Sequence, residues 1–144
     1  MTVKDLIARK GRHVATIAPN VAISRAIRHL SQDDTSALVV VDDHRAVQGI
    51  LSASDIVRYL HRHGSVNTLL SAVDVMTKDV ITCSETDTLT DVQQLMAAHQ
   101  IRHVPVVRNG VLFGIVTTLD LINDRTRRAE AEVVQIRSYL TGAA

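Results

Sequence analysis

"GILSASD" at residues 49–55 and "GIVTTLD" at residues 114–120 spell one phrase twice. Each holds a glycine, two apolar residues, a hydroxyl residue, two variable positions and an aspartate. Outward from the phrase the likeness continues. A shift of 66 places lays residues 13–30, HVATIAPNVAISRAIRHL, over residues 79–96, DVITCSETDTLTDVQQLM. The same shift sets TSALVVV (35–41) on IRHVPVV (101–107), while VKDLI (3–7) faces AVDVM (72–76) with three more residues before the strand in the first copy. Identity is low, but order and spacing hold over about 55 residues per copy, which marks an internal repeat.

Each copy predicts the same elements. A short strand, Val14–Ile17 or Val80–Cys83, leads into an amphipathic helix. Ile23, Ala26, Ile27 and Leu30 share one face of the first helix; Leu89, Val92, Leu95 and Met96 share one face of the second. A β-branched run follows, Leu38–Val41 or Val104–Val107, whose unbroken apolarity suits a strand buried on both sides. A turn and a further strand, Val47–Leu51 or Val111–Val116, complete a hairpin. Asp55 and Asp120 then stand where a helix N-cap is expected. The fold class is α+β: two β-α-β-β-α repeats packed sheet to sheet with pseudo-twofold symmetry. A unit of about 55 residues buries so little of its surface that it is marginal alone. The expected boundaries are 1–62 and 72–125 for the repeats, 63–71 for a linker and 126–144 for a C-terminal helix. Val133, Ile136 and Leu140 lie at helical spacing in that last segment, so it requires a partner surface.

Composition narrows the function. Sixteen Lys and Arg balance fifteen Asp and Glu in 144 residues, which gives no general pull towards nucleic acid or an anionic membrane. The basic group Arg125, Arg127 and Arg128 sits beside Glu130 and Glu132 and reads as a solvated helix face. One Phe, two Tyr and no Trp offer no base-stacking platform. The N-terminal residues lack a signal-peptide core, no run reaches the length of a membrane span, and the single Cys83 has no internal partner. The expectation is a cytoplasmic, soluble chain. His61 and His63 diverge on a helix, and His103 falls on a strand away from His99, so no metal site is expected. With no nucleophile elbow or phosphate-binding glycine loop, no catalytic residues are expected either.

Together, TSALVVVDD before GILSASD, IRHVPVV before GIVTTLD, and the VDVMTKDVIT lead-in resemble a tandem pair of cystathionine-β-synthase (CBS) domains, the Bateman module. The resemblance covers roughly residues 3–125 and implies a stand-alone regulatory protein, not an enzyme. It implies adenosine-containing ligands (AMP, ADP, ATP, NAD or S-adenosylmethionine) in a cleft between the repeats, a homodimer and an unknown downstream protein. Carried over, Asp55 and Asp120 accept the ribose hydroxyls, while Ser52, Ser54 and Thr117 donate on the phosphate side. Ser36, Ala37, Arg102 and His103 line the cleft near Pro105, and backbone around Val14 and Val80 meets the adenine edge. Apart from the resemblance, Lys10, Arg12 and Lys78 stand just before the segments expected to face the cleft, where their charge either offsets phosphate or is simply solvated. Gln100 replaces the glycine that often opens the family's first phrase, and Val39 stands where the second copy has Pro105. The chemistry is coherent without the family: a carboxylate accepts two hydrogen bonds from a vicinal diol, and a helix N-terminus favours phosphate. The same aspartates also serve as plain helix caps. The alternative is therefore a dimerisation or interaction scaffold with degenerate nucleotide sites.

Overall fold

The computed structural model describes residues 1–32, 35–67 and 69–142. Its elements are α1 (Val3–Lys10), β1 (Thr16–Ile17), α2 (Ile23–Gln32), β2 (Ala37–Val41), β3 (Val47–Ser52) and α3 (Ala53–His63) in the first half. The second half contributes α4 (Ala72–Val75), α5 (Leu89–His99), β4 (His103–Arg108), β5 (Val111–Thr117) and α6 (Thr118–Leu140).

The duplicated plan is plain in the register. β1 runs parallel to β2 with Ile17 opposite Val40, and β2 pairs antiparallel with β3. In the second copy β4 pairs antiparallel with β5, and Cys83 makes a parallel bridge to Val106, the equivalent of Ile17 and Val40. Both hairpins carry an irregularity at the same place, between Val40 and Val41 and between Val106 and Val107. The strand expected at Val80–Cys83 is reduced to that single bridge. The reason is chemical. Val39 donates its backbone N–H to the Ala15 carbonyl, whereas Pro105, at the equivalent place, has no N–H to give.

β2 is buried along its whole length, as its apolarity requires. Leu38 and Val40 face the first core, with Ile17, Ile23, Ala26 and Leu51. Val39 and Val41 face the other way, onto Leu112 and Ile115 of the second hairpin, with Val14 and Val47 at the margin. That contact is the sheet-to-sheet join.

The leading helices are exchanged. Val3, Leu6 and Ile7 of α1 pack into the second core, among Cys83, Leu89, Val92, Val104 and Val116. Ala72 and Val75 of α4 pack into the first. This exchange explains the repeated glycines. A Cβ on Gly114 would lie 2.7 Å from Ile7 Cδ1, and one on Gly49 would lie 2.9 Å from the Thr77 carbonyl oxygen. Each glycine lets the leading segment of the opposite copy cross the hairpin.

No separate helix begins at residue 126. α6 runs unbroken for 23 residues, because nothing between Thr118 and Leu140 breaks it: the stretch has no proline or glycine. Among the described residues no helix is long and apolar enough to cross a membrane.

Candidate functional site

The two phrases build their local structure in the same way. Ser52 and Thr117 are the N-caps of α3 and α6, and Asp55 and Asp120 stand three positions further in. The aspartates are therefore not N-caps. They complete capping boxes, in which the carboxylate accepts the N-cap's backbone N–H. Ser52 N donates to Asp55 Oδ2 at 2.8 Å, and Thr117 N donates to Asp120 Oδ2 at 2.9 Å. Half of each carboxylate is thus committed to holding a helix end.

The other partners differ. Asp55 is only 6% exposed, and its Oδ1 accepts from Thr77 Oγ1 at 2.6 Å and from Arg58 at 3.1 Å. The Ser52 hydroxyl also donates to Oδ2 at 3.0 Å. Thr77 is fixed by a two-way backbone bridge to Ile50 on β3. Around Asp55 opens a cleft of about 550 Å³. One wall is α3, which presents Arg58, Tyr59, Arg62 and His63; the other is the segment from Asp74 to Thr77, with Asp79. Cations stand on the helix and acids at the opposite edge. The volume falls in the usual range for a small-molecule site.

At the second phrase the same space is spanned by ion pairs. Lys10 Nζ donates to Asp120 Oδ2 at 2.5 Å and to the Ile115 carbonyl at 2.9 Å. Arg9 pairs with the buried Asp124 at 3.1 Å, and Arg128 pairs with Asp124 from within α6. Beside this group Ser36 Oγ and His103 Nε2 share a hydrogen bond of 2.6 Å, which ties one repeat to the other. Burial above all, then the Arg102 charge, pushes the His103 imidazole below its ordinary value, against the pull of Asp120.

The anticipated residues therefore divide. Lys10, Ser36, His103, Thr117 and Asp120 gather at the second phrase, next to Arg102, whose carbonyl accepts from Thr118 N. Ser52 and Asp55 meet at the first phrase. Ala37 and Pro105 are buried in the hairpins opposite Ser52 and Ile115, and Val14 packs into the sheet join. Arg12 lies further along β5, its guanidinium 4.1 Å from the Phe113 ring centroid with Arg108 on that ring at 3.8 Å. Lys78 and Val80 are not among the residues that line the open cleft, and Ser54 is an exposed residue of α3. Thr77, Arg58, Arg62 and His63 were not anticipated. For the α3 residues a signal was available: positions 55, 58, 59, 62 and 63 share one helical face. Cys83 is a core side chain, its thiol pushed up to about 12 by burial and the nearby Asp87 charge.

Comparison with known proteins agrees with this architecture. A family model described as CBS domain matches residues 3–62 and again 72–125. An uncharacterized 17.7 kDa protein of Acidianus ambivalens is 36% identical over 75% of this chain and 65% of its own. An inosine-5'-monophosphate dehydrogenase of Halobacterium salinarum is 34% identical over 83% of this chain but only 23% of its own length. The chain thus spans under two thirds of both curated relatives, and the match to the enzyme is confined to a minor part of it. Among solved structures, the CBS-domain protein ATU1752 of Agrobacterium tumefaciens superposes with a TM-score of 0.80 at 36% identity, over 87% of this chain and 99% of that one. The CBS domain pair of protein MJ0100, solved with 5'-methylthioadenosine and S-adenosyl-L-methionine, has a TM-score of 0.76 at 27% identity, over 89% and 98%. With both repeats matched and the same hairpins and exchanged helices built from each, the chain belongs to the CBS-domain family as a tandem pair.

Proposed function

We propose that this CBS pair is a non-enzymatic regulatory module that takes an adenosine-containing ligand between its repeats and signals through their packing. The ligand class is AMP, ADP, ATP, NAD or S-adenosylmethionine; the working form is a cytoplasmic homodimer that acts on a further protein. The observation that carries the reading is the cleft of about 550 Å³ at Asp55, with a carboxylate at one end and Arg58, Arg62 and His63 along α3. Arg58 is more than half exposed, so it leaves Asp55 Oδ1 at small cost when a ribose diol arrives. It then meets phosphate together with Arg62. The adenosine ligands of the MJ0100 pair support the class.

The test is a thermal-shift panel of AMP, ADP, ATP, NAD and S-adenosylmethionine at millimolar concentration. A ligand at a hundred times its Kd adds ~2.7 kcal/mol to stability. Arg62→Ala is expected to lose the shift from phosphate-bearing ligands and keep that from S-adenosylmethionine. Flat melts across the panel overturn the proposal. The scaffold reading has one observation in its favour, the ion pairs already seated over the second phrase. It requires flat melts and the loss of partner binding when α6 is cut after Arg125.

A further inference from the structure

We propose that α6 is a self-association element: two copies of this chain join through a parallel, two-stranded coiled coil along the helix. This rests on, and deepens, the homodimer part of the reading above; it is independent of the cleft.

The seam is continuous. Counting from Leu119, Thr126, Val133 and Leu140 repeat every seventh residue, and Ile122, Ala129 and Ile136 fall three positions after each of the first three. That is a heptad with apolar or small residues at both seam positions, a and d. Every one of these side chains is exposed, among them Leu119 at 63%, Ile136 at 52% and Leu140 at 76%. Asp120, Leu121 and Asp124, buried or partly buried, lie on the opposite side of α6, turned to Lys10, the second core and Arg9. A helix that leaves such a stripe in water lacks its partner.

Charge selects the partner and its direction. In a parallel pair each g residue faces the e residue five positions further along the other chain. Arg125 then meets Glu130 of the second copy, and Glu132 meets Arg137, both attractive and each made twice by symmetry. Leucine at a with isoleucine at d by itself favours bundles of more strands. Here α5 of the same chain stands beside the first heptad, where Arg125 also donates to Gln93 Oε1 at 2.8 Å, and that flank opposes the additional strands of a larger bundle. A strict seven-residue repeat also requires the pair to wind left-handed.

The test uses the full chain. Sedimentation equilibrium is expected to give a dimer, and Ile136→Glu to raise its dissociation constant at least tenfold while the melt of the body is unchanged. Glu132→Arg weakens association, and adding Arg137→Glu restores it. Ile136→Cys is expected to oxidise to a covalent dimer, because equal residues face each other only in the parallel register; native Cys83 is buried and does not compete. A monomer at all concentrations overturns the proposal. So does a dimer that links through Val57→Cys on α3 but not through Ile136→Cys, or one that links only when Ile122→Cys and Val133→Cys chains are mixed. The first outcome removes the homodimer altogether; the other two keep it and place or orient it differently.

Discussion

Alanine at Gly49 and alanine at Gly114 are the same change at equivalent positions, and the structure requires them to differ. At Gly114 the new methyl meets the end of a flexible side chain, Ile7 Cδ1, at 2.7 Å. At Gly49 it meets the Met76 side chain and, 2.9 Å away, the Thr77 carbonyl oxygen. A side-chain tip turns aside; a backbone oxygen held in a bridge does not. Thr77 N donates to the Ile50 carbonyl at 2.9 Å, and Ile50 N donates to the Thr77 carbonyl at 3.0 Å. Overpacking costs roughly 1–3 kcal/mol, and each lost hydrogen bond adds about 0.5–1.5 kcal/mol. Gly49→Ala is therefore expected to lose ~3 kcal/mol and Gly114→Ala ~1 kcal/mol. With a urea m-value of roughly 2 kcal/mol/M, the midpoints move by about 1.5 M and 0.5 M. Second-site changes sharpen the test. Ile7→Val removes Cδ1, so it should relieve Gly114→Ala, whereas Met76→Ala should leave most of the Gly49→Ala loss because the carbonyl remains. Equal losses, or full relief by Met76→Ala, would refute the account of why the glycine is repeated.

Three further outcomes follow from the site. Asp55→Ala strips the acceptor from the Ser52 N–H and the Thr77 hydroxyl inside the fold and should cost about 2–4 kcal/mol in urea melts; Asp120→Ala, at a more exposed carboxylate, should cost about 1 kcal/mol. Equal losses would mean that the burial of Asp55 does not matter. The His103 imidazole is held below its ordinary value, so the folded state favours its neutral form; that stability is complete above pH 6.5 and is lost as the pH falls through the lowered folded value. His103→Gln should flatten the fall in melting temperature below pH 6.5, and an unchanged slope would place the pH dependence elsewhere. Gln100 ends α5 in the left-handed conformation at φ 54°, which costs a non-glycine residue roughly 1–2 kcal/mol. Gln100→Gly should raise the melting temperature, and no gain would show that the side chain offsets the strain.

Much of the fold was legible because a duplicated sequence states its pattern twice. Helices α2 and α5, both hairpins and the sheet join follow from periodicity at Ile23–Leu30, Leu89–Met96, Leu38–Val41 and Val104–Val107, whereas the leading helices α1 and α4 were not anticipated. Local readings went astray for identifiable reasons. Ser52-x-x-Asp55 and Thr117-x-x-Asp120 have capping-box spacing, which places the hydroxyl residue at the cap and the aspartate three further on. Pro105 forecloses one hydrogen bond of the strand before it, and this shortens Val80–Cys83 to a bridge. The exchange of α1 and α4 was not legible. Apolar faces on Leu6, Ile7, Ala72 and Val75 demand burial but do not say in which core. For that reason Thr77 went unread, since its hydroxyl matters only once α4 has crossed to Asp55.

The same exchange makes two equivalent phrases chemically unequal. α1 is eight residues long and α4 four. The additional turn of α1 carries Arg9 and Lys10 onto Asp124 and Asp120, while the shorter α4 ends early and leaves α3 facing an open cleft. A ligand at the second phrase must first displace ion pairs whose cations are about a quarter exposed. On the proposed reading a ligand at the second phrase would leave the buried Asp124 and the partly buried Asp120 without these cations, which disfavours binding there relative to the first phrase. Under the proposed function, occupancy at the first phrase would bear on α3 and on the segment 74–77, which the Ile50–Thr77 bridge and the burial of Ala72 and Val75 fasten to the first core. A ligand shifts an equilibrium only by its difference in affinity for the two arrangements. On the proposed reading, a ligand at the open phrase would touch both the helix of one copy and the leading segment of the other without first undoing an ion pair between α1 and α6.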